Sequence, residues 1–194
     1  MTEILRAAVG VFATLAPFGL IPAFLAVSRD ASENEDANAS QTLLLAVVTA
    51  FAALLAAVVL ADPFLGFLDI SGESFQAAAA VIAAPLAVRL LWSGRSLGLS
   101  EVTTSRPWLL PLAIPGLAGP ASLAVVVAYS GRYGETDAAI AVVIAMAAAS
   151  ALLYAGGFLH RSLGERAIGV FGRLSGALIV IIAVELAIDG VRSV

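Results

Sequence analysis

The chain has 194 residues, of which 61% are hydrophobic and 12% charged, and its formal net charge is −4. A soluble domain usually contains about 25% charged residues, so this composition argues against a soluble protein. A mean hydropathy of +1.02 and apolar stretches of about 20 residues indicate an integral membrane protein. The absence of cysteine excludes a disulfide framework and a thiolate metal site, and the acidic balance leaves no polybasic surface for nucleic acid.

Six apolar segments follow one another along the chain, each close to the roughly 20 residues that a helix needs to cross a bilayer. Continuous apolar runs without strict alternation predict helices, which satisfy their own backbone polar groups in lipid. The sequence therefore predicts an all-α, multi-pass membrane protein with no separate soluble domain. The segments are residues 4–27, 41–61, 74–92, 108–129, 138–159 and 174–191, and the polar connections are residues 28–40, 62–73, 93–107, 130–137 and 160–173.

The arginines predict how the helices are oriented in the membrane. Seven of them belong to the odd-numbered connections or to the end of segment three, and three belong to the other side. The positive-inside rule then places the odd connections in the cytoplasm and both termini outside the cell. We expect the inner membrane of a bacterium or the plasma membrane of an archaeon. The seven are Arg29, Arg89, Arg95, Arg106, Arg161, Arg166 and Arg173, and the three are Arg6, Arg132 and Arg192.

The second half of the chain resembles the first. Residues 17–27 (PFGLIPAFLAV) match residues 115–125 (PGLAGPASLAV) at an offset of 98, and segments three and six match at an offset of 96. The two matches predict two repeats of three helices, residues 1–97 and 98–194. Because three is an odd number of crossings, the second repeat is inverted. Inverted repeats are typical of secondary transporters, whose halves exchange conformations to give alternating access.

Segments one and four each contain two prolines separated by four residues, with glycine between them. Proline costs about 3 kcal/mol or more inside a helix, so we expect both helices to open near the membrane centre. Corresponding interruptions in two halves predict a substrate site there, where helix N-termini attract an anionic group such as a carboxylate. Proline kinks used only for packing are the alternative. The residues of these two motifs are Pro17, Gly19, Pro22, Pro115, Gly116, Gly119 and Pro120.

Three polar residues complete the candidate substrate-binding set. Ser122 follows the second proline motif, and Gln76 and Ser175 lie early in segments three and six, at nearly equivalent positions of the repeat. Each is placed where its side chain would reach a cavity or the broken backbone. Hydrogen bonds within or between helices are the alternative role for all three.

Two charged residues lie inside or at the end of apolar segments. Glu185 is the only carboxylate well inside one, so it is a candidate for ion coupling. Interfacial pairing is the alternative, because Asp189 and Arg192 follow it closely. Arg89 is interpreted as an anchor at the cytoplasmic interface, since Trp92 follows it by one turn.

These motifs resemble those of the MarC family of six-helix bacterial and archaeal membrane proteins, which includes small neutral amino-acid transporters. The resemblance extends over essentially the whole chain and implies the same fold and class of substrate. The chain departs from the family pattern at Ala16, where the family usually has Asn or Asp, and at Glu185, where it has Gln. The resemblance rests on residues 17–22, 112–120 (LAIPGLAGP), 163–176 (LGERAIGVFGRLSG) and 183–190.

We therefore expect a secondary transporter or exporter of a small polar solute, such as glycine or alanine, that works by alternating access. Na+ or H+ is the expected coupling ion, and no other cofactor or metal is expected. A non-transporting accessory or regulatory membrane subunit is the alternative. No enzyme is expected, because His160 is the only histidine and has no deep serine partner. The expected partners are the lipid bilayer and the solute, without nucleic acid, and the lipid-facing helices leave homo-oligomerisation open.

Overall fold

The protein, represented by a computed structural model, is described at residues 2–33, 39–95, 113–114 and 116–192. These residues form seven α-helices and no β-strand, which confirms the all-α prediction. In chain order the helices are α1 (Thr2–Leu15), α2 (Pro17–Glu33), α3 (Ala39–Phe67), α4 (Gly72–Ser93), α5 (Pro120–Tyr133), α6 (Glu135–Tyr154) and α7 (Gly156–Arg192).

Five stretches of the described chain are long and apolar enough to cross a membrane. One is formed jointly by α1 and the first part of α2, and the others lie in α3, α4, α6 and α7. α5 has 14 residues, or about 21 Å of helix, which is shorter than the roughly 30 Å hydrocarbon core. The start of the predicted fourth segment, residues 108–112, lies outside the described residues.

Two expected connections are helical over much of their length. Residues 160–173 lie inside α7, which is interrupted by a kink at Gly164 (φ 76°, ψ 166°). α2 likewise continues to Glu33, beyond the predicted segment end at residue 27. The prediction that residues 28–33 and 160–173 belong to connections between helices was therefore wrong. Polarity marks where a helix leaves the hydrocarbon, and Arg, Leu and Glu are good helix formers in water as well.

α4 and α7 run antiparallel with their backbones in close approach at three glycines of α7, which we call the glycine seam. A Cβ atom at Gly172 would overlap the carbonyl oxygen of Gly94. At Gly176 it would lie 2.8 Å from a backbone nitrogen of α4, and at Gly190 it would lie 2.7 Å from the carbonyl oxygen of Glu73. Small residues at helix interfaces allow this approach in membrane proteins. The seam therefore fixes the position and rotation of α4 against α7.

Charged residues form ion pairs at two levels of α7. Arg95, just after α4, pairs with Glu165. Arg132 in α5 pairs with Glu185 at 3.2 Å and with Asp189 at 2.5 Å. Glu165 and Glu185 are about 30 Å apart along the helix axis, so the two groups lie near opposite membrane surfaces. This separation agrees with the predicted division of the arginines, and the identity of the cytoplasmic side stays a prediction.

Candidate functional site

The first helix interruption is a single residue. α1 ends at Leu15 and α2 begins at Pro17, and Ala16 between them has a φ of 45°, which is uncommon outside glycine. Proline disfavours helical geometry in the preceding residue and is tolerated at the first position of a helix. The Ala16 amide donates to the carbonyl of Ala13 at 3.1 Å. The predicted opening extended from Pro17 to Pro22, whereas the observed interruption is confined to Ala16 and Pro22 lies inside the continuous helix α2.

The second interruption precedes α5. The Ala118 amide donates to the carbonyl of Ala113, five residues back, at 2.8 Å, and Gly119 then adopts an extended conformation (φ −82°, ψ 169°). α5 begins at Pro120 with no side-chain hydrogen bond at its N-cap. Pro120 has no N–H group, so the amides of Ala121 and Ser122 are the first of α5, and they have no acceptor within the helix. Pro115, the other proline of this motif, lies outside the described residues.

Two buried hydroxyl groups hydrogen-bond to backbone carbonyls beside the interruptions. The Ser122 Oγ lies 2.7 Å from the Leu117 carbonyl oxygen and 3.0 Å from that of Gly119, so its one proton is donated to backbone. Thr14 Oγ1 donates to the Val11 carbonyl at 2.9 Å, just before the first interruption. Both side chains are almost fully buried. These contacts are those of the backbone-bonding alternative for Ser122, and its hydroxyl oxygen still has capacity to accept.

A cavity of about 250 Å³ lies where the two interruptions meet one face of α4. The α4 residues in its wall recur every three or four positions, as expected for a single helix face. Four of the predicted site residues line this cavity, which we call the junction cavity: Gly116, Gly119, Pro120 and Ser122. The other lining residues are Thr14, Ala16, Ile82, Pro85, Leu86, Arg89 and Ala121.

The remaining predicted site residues lie elsewhere among the described helices. Pro17 and Gly19 are buried in the first turn of α2, directly after Ala16. Pro22 lines a separate cleft, together with Arg95, Arg166 and Arg173. Gln76 is buried in α4, about 14 Å along the axis from Pro85. Ser175 is buried in α7, where its Oγ donates to the Phe171 carbonyl at 3.2 Å.

Arg89, which the sequence predicts to be an interface anchor, lies in the wall of the junction cavity. It lies one turn after Pro85 on α4 and is the one charged residue in the described lining of the junction cavity. The ion pairs of the described chain involve Arg95 and Arg132 and not Arg89. The spacing between Pro85 and Arg89 is the signal that places both on one face of the helix.

Glu185 lies at one end of the bundle and outside the described lining of the junction cavity. Its side chain is 54% exposed and contacts Arg132, whose guanidinium carbon also lies 5.2 Å from the centre of the Tyr133 ring. These are the contacts expected of the pairing alternative for Glu185, and its role in ion coupling stays a prediction. Within the described ranges, no group of three or more His, Cys, Asp or Glu side chains is arranged to hold a metal ion.

Comparison with known proteins places the whole chain in one family. The model of the MarC family integral membrane proteins matches residues 1–194. The UPF0056 inner membrane protein YhgN of Escherichia coli K12 is 29% identical, with 99% of this chain and 98% of the relative covered. The UPF0056 membrane protein MJ1677 of Methanocaldococcus jannaschii is 25% identical, with 94% and 92% covered. No solved structure matches the chain significantly. Since the match extends from the first residue to the last, the chain belongs to the MarC family of integral membrane proteins.

Proposed function

We propose that this protein is a secondary transporter of a small neutral amino acid such as glycine or alanine, rather than an enzyme. The observation that carries this proposal is the junction cavity, in which two interrupted helices and α4 share one small space. Discontinuous helices are a common way to build a substrate site within a membrane, because unpaired backbone is tolerated where it lines a cavity. Its volume of about 250 Å³ is below the range typical of drug-sized ligands, which favours a small solute.

The chemistry of the cavity wall suits a zwitterion with a small apolar side chain. Uncapped amides at the start of α5 are donors for a carboxylate, and the partial positive charge of a helix N-terminus favours the same group. The carbonyl groups of Thr14 and Leu15, at the end of α1, have no donor within that helix and are acceptors for an ammonium group. Ala16, Ile82 and Leu86 provide an apolar surface for a hydrogen atom or a methyl group.

Alternating access between two inverted repeats, residues 1–97 and 98–194, is part of the proposal. The packing of the helices supports it, because the contacts between helices occur in pairs. Exchanging the two halves of the chain turns one contact of each pair into the other. α5 packs on α3 and α2 packs on α6, while α5 packs on α4 and α2 packs on α7. The α4–α7 contact shows the same correspondence. Gly94 approaches Gly172 at one end of the pair. At the other end Gly190, the counterpart of Gly94 at an offset of 96, approaches Glu73 and Ala77, which flank the counterpart of Gly172.

The proposed location is the inner or plasma membrane, with both termini outside. The name of the Escherichia coli relative YhgN places that protein in the inner membrane. The proposed driving force is a Na+ or H+ gradient, with Glu185 as the candidate coupling residue. Its ion pair with Arg132 is the competing explanation of its presence in an apolar segment.

Flux measurements in proteoliposomes test the proposal. Uptake and efflux of radiolabelled glycine and alanine are measured with and without Na+ and H+ gradients. Gly119→Leu fills the second interruption, and Gly131→Leu is the matched control, because a side chain at Gly131 would meet open space. We expect gradient-dependent flux that Gly119→Leu abolishes and Gly131→Leu retains. The absence of flux of either solute from the unaltered protein would contradict the amino-acid assignment and favour an accessory subunit.

A further inference from the structure

We infer that Arg89 binds the carboxylate group of the transported solute and thereby selects for carboxylate-bearing solutes. This inference rests on the proposed transport function and extends it to a specificity-determining residue. It begins from position. Arg89 follows Pro85 by one turn on the α4 face that lines the junction cavity, opposite the uncapped start of α5 at Gly119 and Pro120.

Arg89 lacks the carboxylate partner that two other arginines near the ends of helices have. Arg95 and Arg132 each pair with a carboxylate. No described carboxylate pairs with Arg89, and none lines the junction cavity. Arg89 is exposed and lies one turn before the end of α4, so the protein does not enclose its side chain and a ligand in the cavity can reach it. A solute carboxylate in the cavity would supply the missing negative charge.

The geometry of the guanidinium group suits the carboxylate of a small solute. Its planar fork forms two parallel hydrogen bonds to the two carboxylate oxygens, and these charge-assisted bonds are roughly twice as strong as neutral ones. The amides at the start of α5 donate to the same class of acceptor. Arg89 and the α5 amides therefore form two donor sets on different walls of one cavity, between which a carboxylate fits.

The sequence-based role of Arg89 as an interface anchor makes a different prediction. An anchor works through the charge of a flexible side chain at the membrane surface, together with the 86% exposed Trp92 one turn away. Lysine serves that purpose as well as arginine, and neither is sensitive to which solute is present. A carboxylate receptor requires the fork, so the two roles separate in the Arg89→Lys variant and in the choice of solute.

The test compares glycine with glycinamide, which lacks the carboxylate charge, in the unaltered protein and in the Arg89→Gln, Arg89→Lys and Arg95→Gln variants. Proteoliposome counterflow gives the KM for glycine. Equilibrium binding of radiolabelled glycine to purified protein gives the Kd independently of transport. Size-exclusion profiles establish that each variant is folded. Arg95→Gln is the matched control, because Arg95 lies near the same helix end but pairs with Glu165 at an exposed position.

We expect Arg89→Gln to raise both the KM and the Kd for glycine about tenfold to a hundredfold, the range of a lost charge-assisted contact. Arg89→Lys should give an intermediate loss of glycine affinity. Arg95→Gln should change neither constant by more than about twofold. Glycinamide should not compete with glycine. An Arg89→Gln variant that folds and keeps both constants would overturn the inference while leaving transport intact. Binding that depends on Arg89 without flux would refute the transport function alone. The absence of both binding and flux in the unaltered protein would refute both proposals.

Discussion

Ser122→Ala is expected to destabilise the second helix interruption. The Ser122 hydroxyl is 1% exposed and lies 2.7 Å from the carbonyl oxygen of Leu117, a residue that precedes the first turn of α5. Alanine removes this donor, and leaving a buried acceptor unsatisfied costs about 1–3 kcal/mol. Side-chain hydrogen bonds measured in a membrane protein average about 0.6 kcal/mol with a maximum of about 1.7. We therefore expect a loss of about 1–2 kcal/mol in the free energy of unfolding, or roughly a 5–30-fold change in the folding equilibrium.

The matched control is Ser150→Ala in α6. The Ser150 hydroxyl donates to the carbonyl of Ala147 at 3.0 Å within a regular helix, where that carbonyl also has its ordinary backbone donor. Its removal should change stability by less than about 0.5 kcal/mol. Unfolding is followed by tryptophan fluorescence while SDS is titrated into mixed micelles. If the two variants lose equal stability, the reasoning that Ser122 holds the interruption together is refuted.

Three further changes test the packing and the charged groups. Gly172→Ala should separate α4 from α7 and cost at least about 1–3 kcal/mol of stability. Gly66→Ala is the control and should be tolerated, because nothing lies within 4 Å of the new Cβ atom. The fraction of monodisperse protein and the unfolding midpoint measure the difference between the two variants. Glu185→Gln should abolish the gradient dependence of uptake and retain exchange, because Glu185 is the proposed coupling residue. Gradient-driven uptake that stays within about twofold of the unaltered protein would instead assign Glu185 to its pair with Arg132. Arg95→Gln should reduce stability by less than about 1 kcal/mol in the same SDS titration, because its ion pair is exposed on both sides; a larger loss would contradict that estimate.

The helical architecture was predictable because the hydrocarbon core imposes both a length and a composition. Each predicted segment in the described chain corresponds to an observed helix or helix pair, and prolines marked both interruptions. The ends of the helices were not predictable by the same rule. α7 continues through residues 160–173 as a kinked helix, because backbone hydrogen bonding persists after the chain has left the lipid.

The candidate site was predictable only in part, for a geometric reason. The prolines Pro17 and Pro120 indicated where the helices would break, since each occupies the first position of a new helix. The role proposed for Arg89 depends on how α4 is rotated about its axis, and that rotation is set by the glycine seam with α7. A single sequence does not give this rotation, so an arginine near the end of an apolar segment was interpreted as an interface anchor.

The glycine seam also restricts where a solute can travel. From Gly172 to Gly190 it extends about 27 Å along α7, nearly the full thickness of the hydrocarbon core. At its three glycines the backbones of α4 and α7 lie too close together for water, an acyl chain or an amino acid to pass between them. Any permeation path along α4 therefore runs on the face that lines the junction cavity, beside α1 and α5. In the transport mechanism proposed above, the pair of α4 and α7 would therefore be a fixed wall beside the path of the solute.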